Sequence, residues 1–295
     1  MRMPEQITSE TPVQLADLSD GLDALDSPLG VRPRRVVVSS FLAPLVVLSV
    51  LVTLWEAVCL SKIRPTWVLP TPSVVGSRLW SSIADGTALH ATWISLHRGL
   101  IGFAAAVLIG TVLGAVVGQV RLLRRGVAPL LSGMQSLPSV AWVPFALVIF
   151  PGGPGVIYTV VLLGSVPSIA NGLIGGLDQT PPLLREAGTV LGARRLELMR
   201  SVLLPAALPA YVTGLKQGWA FAWRSLMAAE LIANSSSLGT GLGGLLSNGS
   251  QDSDIPAVLS AIVLILLVGV IVEVTVFAPI ERCILRRRGL LPAGR

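Results

Sequence analysis

Ionisable and hydrogen-bonding side chains are scarce along much of this chain, and their spacing limits the chemistry they could do. Lys216, Arg224 and Glu230 stand in an otherwise apolar stretch. Ionisable groups in such surroundings are costly, and they face protein or a water-filled path. Arg224 and Glu230 are separated by about 240° on a helix of 3.6 residues per turn, so they cannot pair along one face. Each needs a partner on another element or a cavity to line. Two roles stay open for Arg224: positive charge offered to an anionic ligand, or a structural pair with Glu56 or Glu273. Glu230 would cap the loop that follows it, and Glu273 lies within reach of Arg282. Trp142, Trp219 and Trp223 could stack on a ligand or pack between helices. Gln135 and Asn171 could line a path or bond between helices. His90 and His97 fall near one helical face, but no Cys/His cluster completes the ligand set a metal takes. Asp, Glu and His are scattered rather than gathered as an enzyme would need. Neither Lys62 nor Lys216 stands in the G-x-x-x-x-G-K-[ST] pattern that cradles nucleotide phosphates. The residues therefore predict no catalytic, metal or cofactor site on this chain.

The elements holding these groups follow from composition. Of 295 residues, 52% are apolar and only 13% charged. A soluble domain carries about 25% charged residues, so an ordinary cytosolic, disordered or disulfide-framework protein is excluded. An all-α integral membrane protein remains. One span needs about 20 apolar residues. No charge occurs between Arg98 and Arg121, nor between Arg125 and Asp178. The second window is too long for one helix, and Pro151-Gly152-Gly153-Pro154-Gly155 marks a turn inside it. Spans are predicted over 36–60, 98–121, 129–150, 156–177, 206–233 and 255–280. Sixteen of the 22 Lys/Arg residues fall in segments on one side of these six helices and four on the other. The positive-inside rule then puts both termini in the cytoplasm. It also accounts for the net charge of +6 without nucleic acid. Residues 1–35 form a predicted cytoplasmic tail, strongly acidic before Arg32, and 281–295 a basic one. Cys59 and Cys283 would lie near opposite faces, too far apart to bridge. Gly110, Gly114 and Gly118 form a G-x-x-x-G-x-x-x-G row suited to close helix packing or a subunit contact.

One cytoplasmic loop, 178–205, is longer than a connection requires. Pro181-Pro182 suits a helix start, Glu186 follows, and Arg194, Arg195 and Arg200 gather towards the end, where the helix dipole favours bases. A short helix along the membrane surface is predicted, with Gly192 and Ala193 admitting another surface closely. Glu186-Ala187-Gly188-x-x-x-Gly192, followed by Val202-x-Leu204-Pro205, resembles the EAA loop of binding-protein-dependent ABC importer permeases. The family pattern is EAA, three residues, Gly, nine residues, then I-x-L-P. The chain departs from it at Gly188 and Val202 and keeps the spacing. The resemblance covers 88–280. Ser95-Leu96-His97-Arg98, Leu137-Pro138-Ser139-Val140-Ala141-Trp142-Val143-Pro144 and Gly218-Trp219-Ala220-Phe221-Ala222-Trp223 make it similar to the nitrate, taurine, aliphatic sulfonate and pyrimidine-precursor branch. Where that branch often has Trp-Phe-Gly, this chain has Ile149-Phe150-Pro151-Gly152.

The resemblance implies a six-helix type I importer permease in a bacterial inner membrane. It implies that 183–200 is the coupling helix, docking on a separate cytoplasmic ATPase through Glu186, Ala187, Gly188, Gly192, Ala193, Leu204 and Pro205. ATP and Mg would be bound by that ATPase. It further implies an extracytoplasmic binding protein and a second permease copy, with a homodimer as the simplest assembly. The solute would be small and anionic, of sulfonate, taurine or nitrate type. Arg224, Glu230, Trp223, Trp142, Asn171 and Gln135 are the candidate path residues. An ion- or proton-coupled carrier is the alternative. Pro138 and Pro144 could break a span as such carriers do, but no internal repeat accompanies them.

Overall fold

A computed structural model describes residues 36–61, 65, 68–233 and 239–288. The acidic tail 1–35 and the last residues, 289–295, lie outside the described residues. The described chain is helical throughout and divides into two units, Met1–Leu60 and Ser61–Arg295. The first contributes one apolar helix, α1 (Val36–Leu60). From Val46 onward its large apolar side chains are mostly exposed.

The second unit holds the remaining helices. α2 (Pro72–Ala84) and α3 (Thr87–Gln119) lie within and beyond the first predicted external loop. Asp85 sits at the turn between them. Its carboxylate accepts both the amide and the hydroxyl of Thr87, and these bonds hold its pKa below the usual carboxylate range. α4 (Arg121–Ser136), a 3₁₀ turn and α5 (Trp142–Ile149) follow, then α6 (Gly155–Asp178) and α7 (Pro182–Val190). α8 (Arg195–Leu198) is one short turn. It leads through a π-helical turn, Met199–Leu203, into α9 (Leu204–Ile232). α10 (Leu242–Gln251) occupies the second external loop. α11 (Ile255–Val272) continues through a second π turn, Glu273–Phe277, into α12 (Ala278–Arg287).

Among the described residues three helical stretches are long and apolar enough to cross a membrane, and a bent pair makes a fourth if it is taken as one span. α9, which carries Lys216, Gln217, Arg224 and Glu230, is not among them. The third span differs from its sequence expectation. Instead of a continuous helix over 129–150, α4 starts at Arg121 and α5 leaves it at 98°. Pro138 explains the break: the residue before a proline is driven from helical to extended backbone, and Leu137 has ψ 133°. Residues 281–287, assigned by sequence to a basic tail, are the end of helix α12.

α6 is the centre of the bundle, packed against α3 on one side and α9 on the other. Small residues let the backbones approach. A Cβ added at Gly114 would lie 2.8 Å from the Ala170 carbonyl oxygen, and one at Gly110 would lie 3.1 Å from that of Val166. The glycine row thus serves packing within the bundle. On the far face, a Cβ at Gly172 would come within 2.5 Å of the Gly214 Cα. An aromatic group, Phe103, Trp219, Trp223 and Phe277, fills the core beside it.

Candidate functional site: a coupling loop and a membrane cavity

The loop after α6 is built by local chemistry. Pro182 opens α7 at a position whose N–H would be unbonded anyway. At the other end Gly192 has φ +84°, a left-handed conformation that favours glycine. The Gly192 N–H donates to the Thr189 carbonyl at 3.0 Å, and the Ala193 N–H donates to the Gly188 carbonyl at 3.0 Å. This pair of bonds is a Schellman motif, which closes a helix and turns the chain sharply. The spacing of Glu186-Ala187-Gly188-x-x-x-Gly192 therefore encodes a helix and its stop.

Gly188 has a different task. It is buried, and a Cβ there would lie 2.4 Å from Leu198 Cδ1. It lets α7 fold back against α8 and the π turn. From the sequence, close approach is assigned to Gly192 and Ala193 and no task to Gly188. Gly188 makes the close approach, while a Cβ at Gly192 would meet nothing within 4 Å. Arg185 ties the loop to the bundle, donating from Nη2 to the Leu177 carbonyl at 2.9 Å, in the last turn of α6. Arg124 also meets Asp178 there, in an ion pair. Leu204 donates its N–H to the Met199 carbonyl five residues back, and Pro205 follows as the second residue of α9.

Folding back leaves the other face of α7 bare. Leu183 is 73% exposed, Val190 86% and Leu191 86%; Glu186 and Ala187 are exposed beside them. Such an apolar strip rimmed by polar groups is a candidate interaction site.

The candidate path residues are not brought together. Glu230 is buried in a polar knot at the top of α9. Its carboxylate lies 3.0 Å from Arg98 Nη1, accepts the Ser95 hydroxyl at 2.6 Å and accepts the Gly243 N–H at 3.1 Å. Ser95 Oγ in turn accepts the Leu242 N–H at 2.8 Å. Glu230 therefore caps α10 and joins it to α3. Arg224 is exposed and stays with its own helix. It donates from Nε to the Ala220 carbonyl at 3.2 Å and lies 4.6 Å from the centre of the Phe221 ring. Glu273 meets neither Arg224 nor Arg282 but Lys216, at 2.6 Å. Trp223 stacks on Trp219 in the core, and Trp142 packs edge-on against Phe145.

Gln135 and Asn171, by contrast, line a cavity of about 480 Å³ between α4, α6, α9 and α12. Gln135 donates to the Pro167 carbonyl at 3.4 Å and Asn171 to Ser132 Oγ at 3.3 Å. Ser168, Thr213, Gln217 and Glu281 share the lining. Ser168 and Glu281 were missed from sequence. A single serine in an apolar helix carries no signal, and Glu281 reads as part of a tail. Arg98 had a faint one, an ionisable residue at the mouth of an apolar run.

The chain matches the model of the family described as "Binding-protein-dependent transport system inner membrane component" over residues 106–278, more than half its length. It is 25% identical to the nitrate import permease protein NrtB of a Synechocystis strain, over 84% of this chain and 93% of that one. It is 28% identical to the taurine transport system permease protein TauC of Escherichia coli, over 77% and 82%. Among solved structures it resembles an inward-facing form of the MetNI methionine ABC transporter. That likeness has a TM-score of 0.55 at 22% identity, over 66% of this chain and 95% of that one, and gives the fold as that of a type I ABC importer permease. With its apolar helices, the match over more than half of its length places the chain in the family of binding-protein-dependent transport system inner membrane components.

Proposed function

We propose that the chain is the permease subunit of an ATP-driven importer and forms the path for a small anionic solute of the sulfonate, taurine or nitrate type, nitrate and taurine being the solutes its relatives are named for. In this reading it crosses the inner membrane six times with both termini in the cytoplasm. A second permease copy completes the path, an extracytoplasmic binding protein delivers the solute, and a separate ATPase binds and hydrolyses ATP with Mg. Glu186, Ala187, Gly188, Gly192, Ala193, Leu204 and Pro205 belong to the coupling segment. Of the sequence-based path residues, Gln135 and Asn171 keep that role, on the cavity between α6 and α9. Arg224, Glu230, Trp223 and Trp142 do not line that cavity.

The observation that carries the reading is the bare strip Leu183, Val190 and Leu191 on a helix held rigid by the Schellman turn and the Arg185 bond. Solvent-exposed leucines on a fixed helix fit a groove on a partner. The experiment is co-purification of the full chain with a cognate ABC ATPase subunit. Leu183→Asp and Val190→Asp should abolish the complex without lowering the amount of folded permease. Retention of the ATPase by both variants would refute the docking site.

A further inference from the structure

An open groove of about 790 Å³ runs along α4, away from the cavity and the coupling loop. Arg121, Arg124, Arg125, Ala128, Pro129 and Ser132 line it. Their spacing, i, i+3, i+4, i+7, i+8 and i+11, is that of one helical face. Three guanidinium groups therefore stand together at one end of it.

Arg124 is paired with Asp178. Arg121 and Arg125 are exposed, and neither meets a carboxylate among the described residues. Nothing local accounts for them. α4 contains no acidic residue. The two arginines are four residues apart, a spacing at which like charges repel. Arg121 also opens the helix, where the dipole disfavours a base. The positive-inside rule accounts for their side of the membrane, but not for their sharing one face. An anion seated between them would relieve the repulsion and accept charge-assisted hydrogen bonds from both guanidinium groups.

The face beside the groove says which anion. Leu122 is 81% exposed and Leu130, two turns on, 67%. They continue an apolar surface that begins on α3, a helix long and apolar enough to cross the membrane. Leu108, Val112 and Val116 are exposed there, and Val120 carries the exposed surface up to Leu122. Such a surface on a span belongs against acyl chains. A soluble anion would use the arginines and leave the leucines idle, whereas a lipid uses both. Basic pockets beside spans take anionic headgroups for this reason.

We propose that the α4 groove is a headgroup site for an anionic phospholipid. Arg121 and Arg125 bind its phosphodiester, and Leu122 and Leu130 lie along an acyl chain. The site depends on the membrane location of the chain and not on what it transports.

The full chain, purified in detergent with a cognate ABC ATPase subunit, is titrated with phosphatidylglycerol, and bound lipid is followed by native mass spectrometry. Phosphatidylglycerol should bind more tightly than phosphatidylcholine with the same chains. Arg121→Gln and Arg125→Gln should each weaken it about fivefold, the scale of one basic side chain at an anionic surface. Arg121→Lys/Arg125→Lys should keep most of the affinity. Arg282→Gln/Arg287→Gln removes the same charge from exposed positions on α12 and should leave binding unchanged. Leu122→Ser/Leu130→Ser should weaken binding, and neither inorganic phosphate nor glycerophosphoglycerol should displace the lipid. On the wild-type chain a photoreactive phosphatidylglycerol should label the Arg121–Ser136 segment, which keeps the test open should the Gln variants fail to assemble.

Equal binding of phosphatidylcholine, an equal loss in the α12 pair, displacement by inorganic phosphate or a photolabel absent from α4 would overturn the proposal. Loss of the ATPase subunit from the Gln variants with lipid binding unchanged would also overturn it, and would make the groove a protein contact.

Discussion

Gly192 gives the most quantitative handle on the coupling loop. Its φ of +84° lies where a Cβ meets the following carbonyl, at a cost of about 1–2 kcal/mol for an ordinary L-residue. A Cβ there meets no other atom within 4 Å, so backbone strain is the whole effect of Gly192→Ala. The strain falls on two bonds, Gly192 N–H to Thr189 and Ala193 N–H to Gly188. If the turn opens, α7 loses its stop and its packing on Leu198. A penalty of 1–2 kcal/mol changes the ratio of closed to open loop by about five- to thirtyfold. Binding needs the closed form, so affinity for the ATPase falls by up to that factor. Asn tolerates the left-handed region better than Ala, and Val tolerates it least. The expected order of ATPase affinity for the permease in nanodiscs is Gly, then Asn, then Ala, then Val. An Ala variant that binds as well as wild type, or an Asn variant worse than Val, would refute the assignment of the turn.

Three further outcomes follow from the bundle. Glu230→Ala removes the buried carboxylate that Arg98, Ser95 and the Gly243 N–H share, so it should lower unfolding stability by about 3–5 kcal/mol; thermal denaturation in detergent should show Arg98→Met/Glu230→Leu to be less damaging than either single change. Gly114→Leu drives a side chain into the Ala170 carbonyl and should abolish folded protein on size exclusion, while Gly126→Ala and Gly133→Ala, with open space around them, should elute normally. Arg224→Gln should shift stability by less than about 0.5 kcal/mol, because the guanidinium is exposed and bonds only its own helix turn; solute uptake by vesicles should be unchanged, and a loss would return Arg224 to the path.

What was legible in the sequence was local. Apolar windows between charges predicted α3, α6 and the α11–α12 helix, because a span depends only on its own residues. The helix after α6 was legible for the same reason, from Pro181-Pro182 and the charges that follow; that it stops at Val190, with Gly192 turning the chain, was not read from the sequence, which carried the helix on to 200. The 98° bend was harder, although Pro138 stood in plain view, because proline permits a kink and packing decides its size. Pairings across the fold were not legible. Arg98 and Glu230 are 132 residues apart, and Lys216 meets Glu281 only because the last helix continues past Glu273. The cavity depends on how α6 and α9 cross at Gly172 and Gly214, so its members Ser168 and Glu281 carried no pattern, whereas Arg224 attracted notice by its charge alone.

Photo-crosslinking from α7 of the full transporter in native membranes tests the coupling claim most directly. With the photoreactive residue at Leu183, Val190 or Leu191, the expected product is an adduct with the cytoplasmic ATPase whose yield changes between ATP-bound and nucleotide-free states. Adducts with lipid or an extracytoplasmic protein, or an ATPase adduct indifferent to nucleotide, would contradict it.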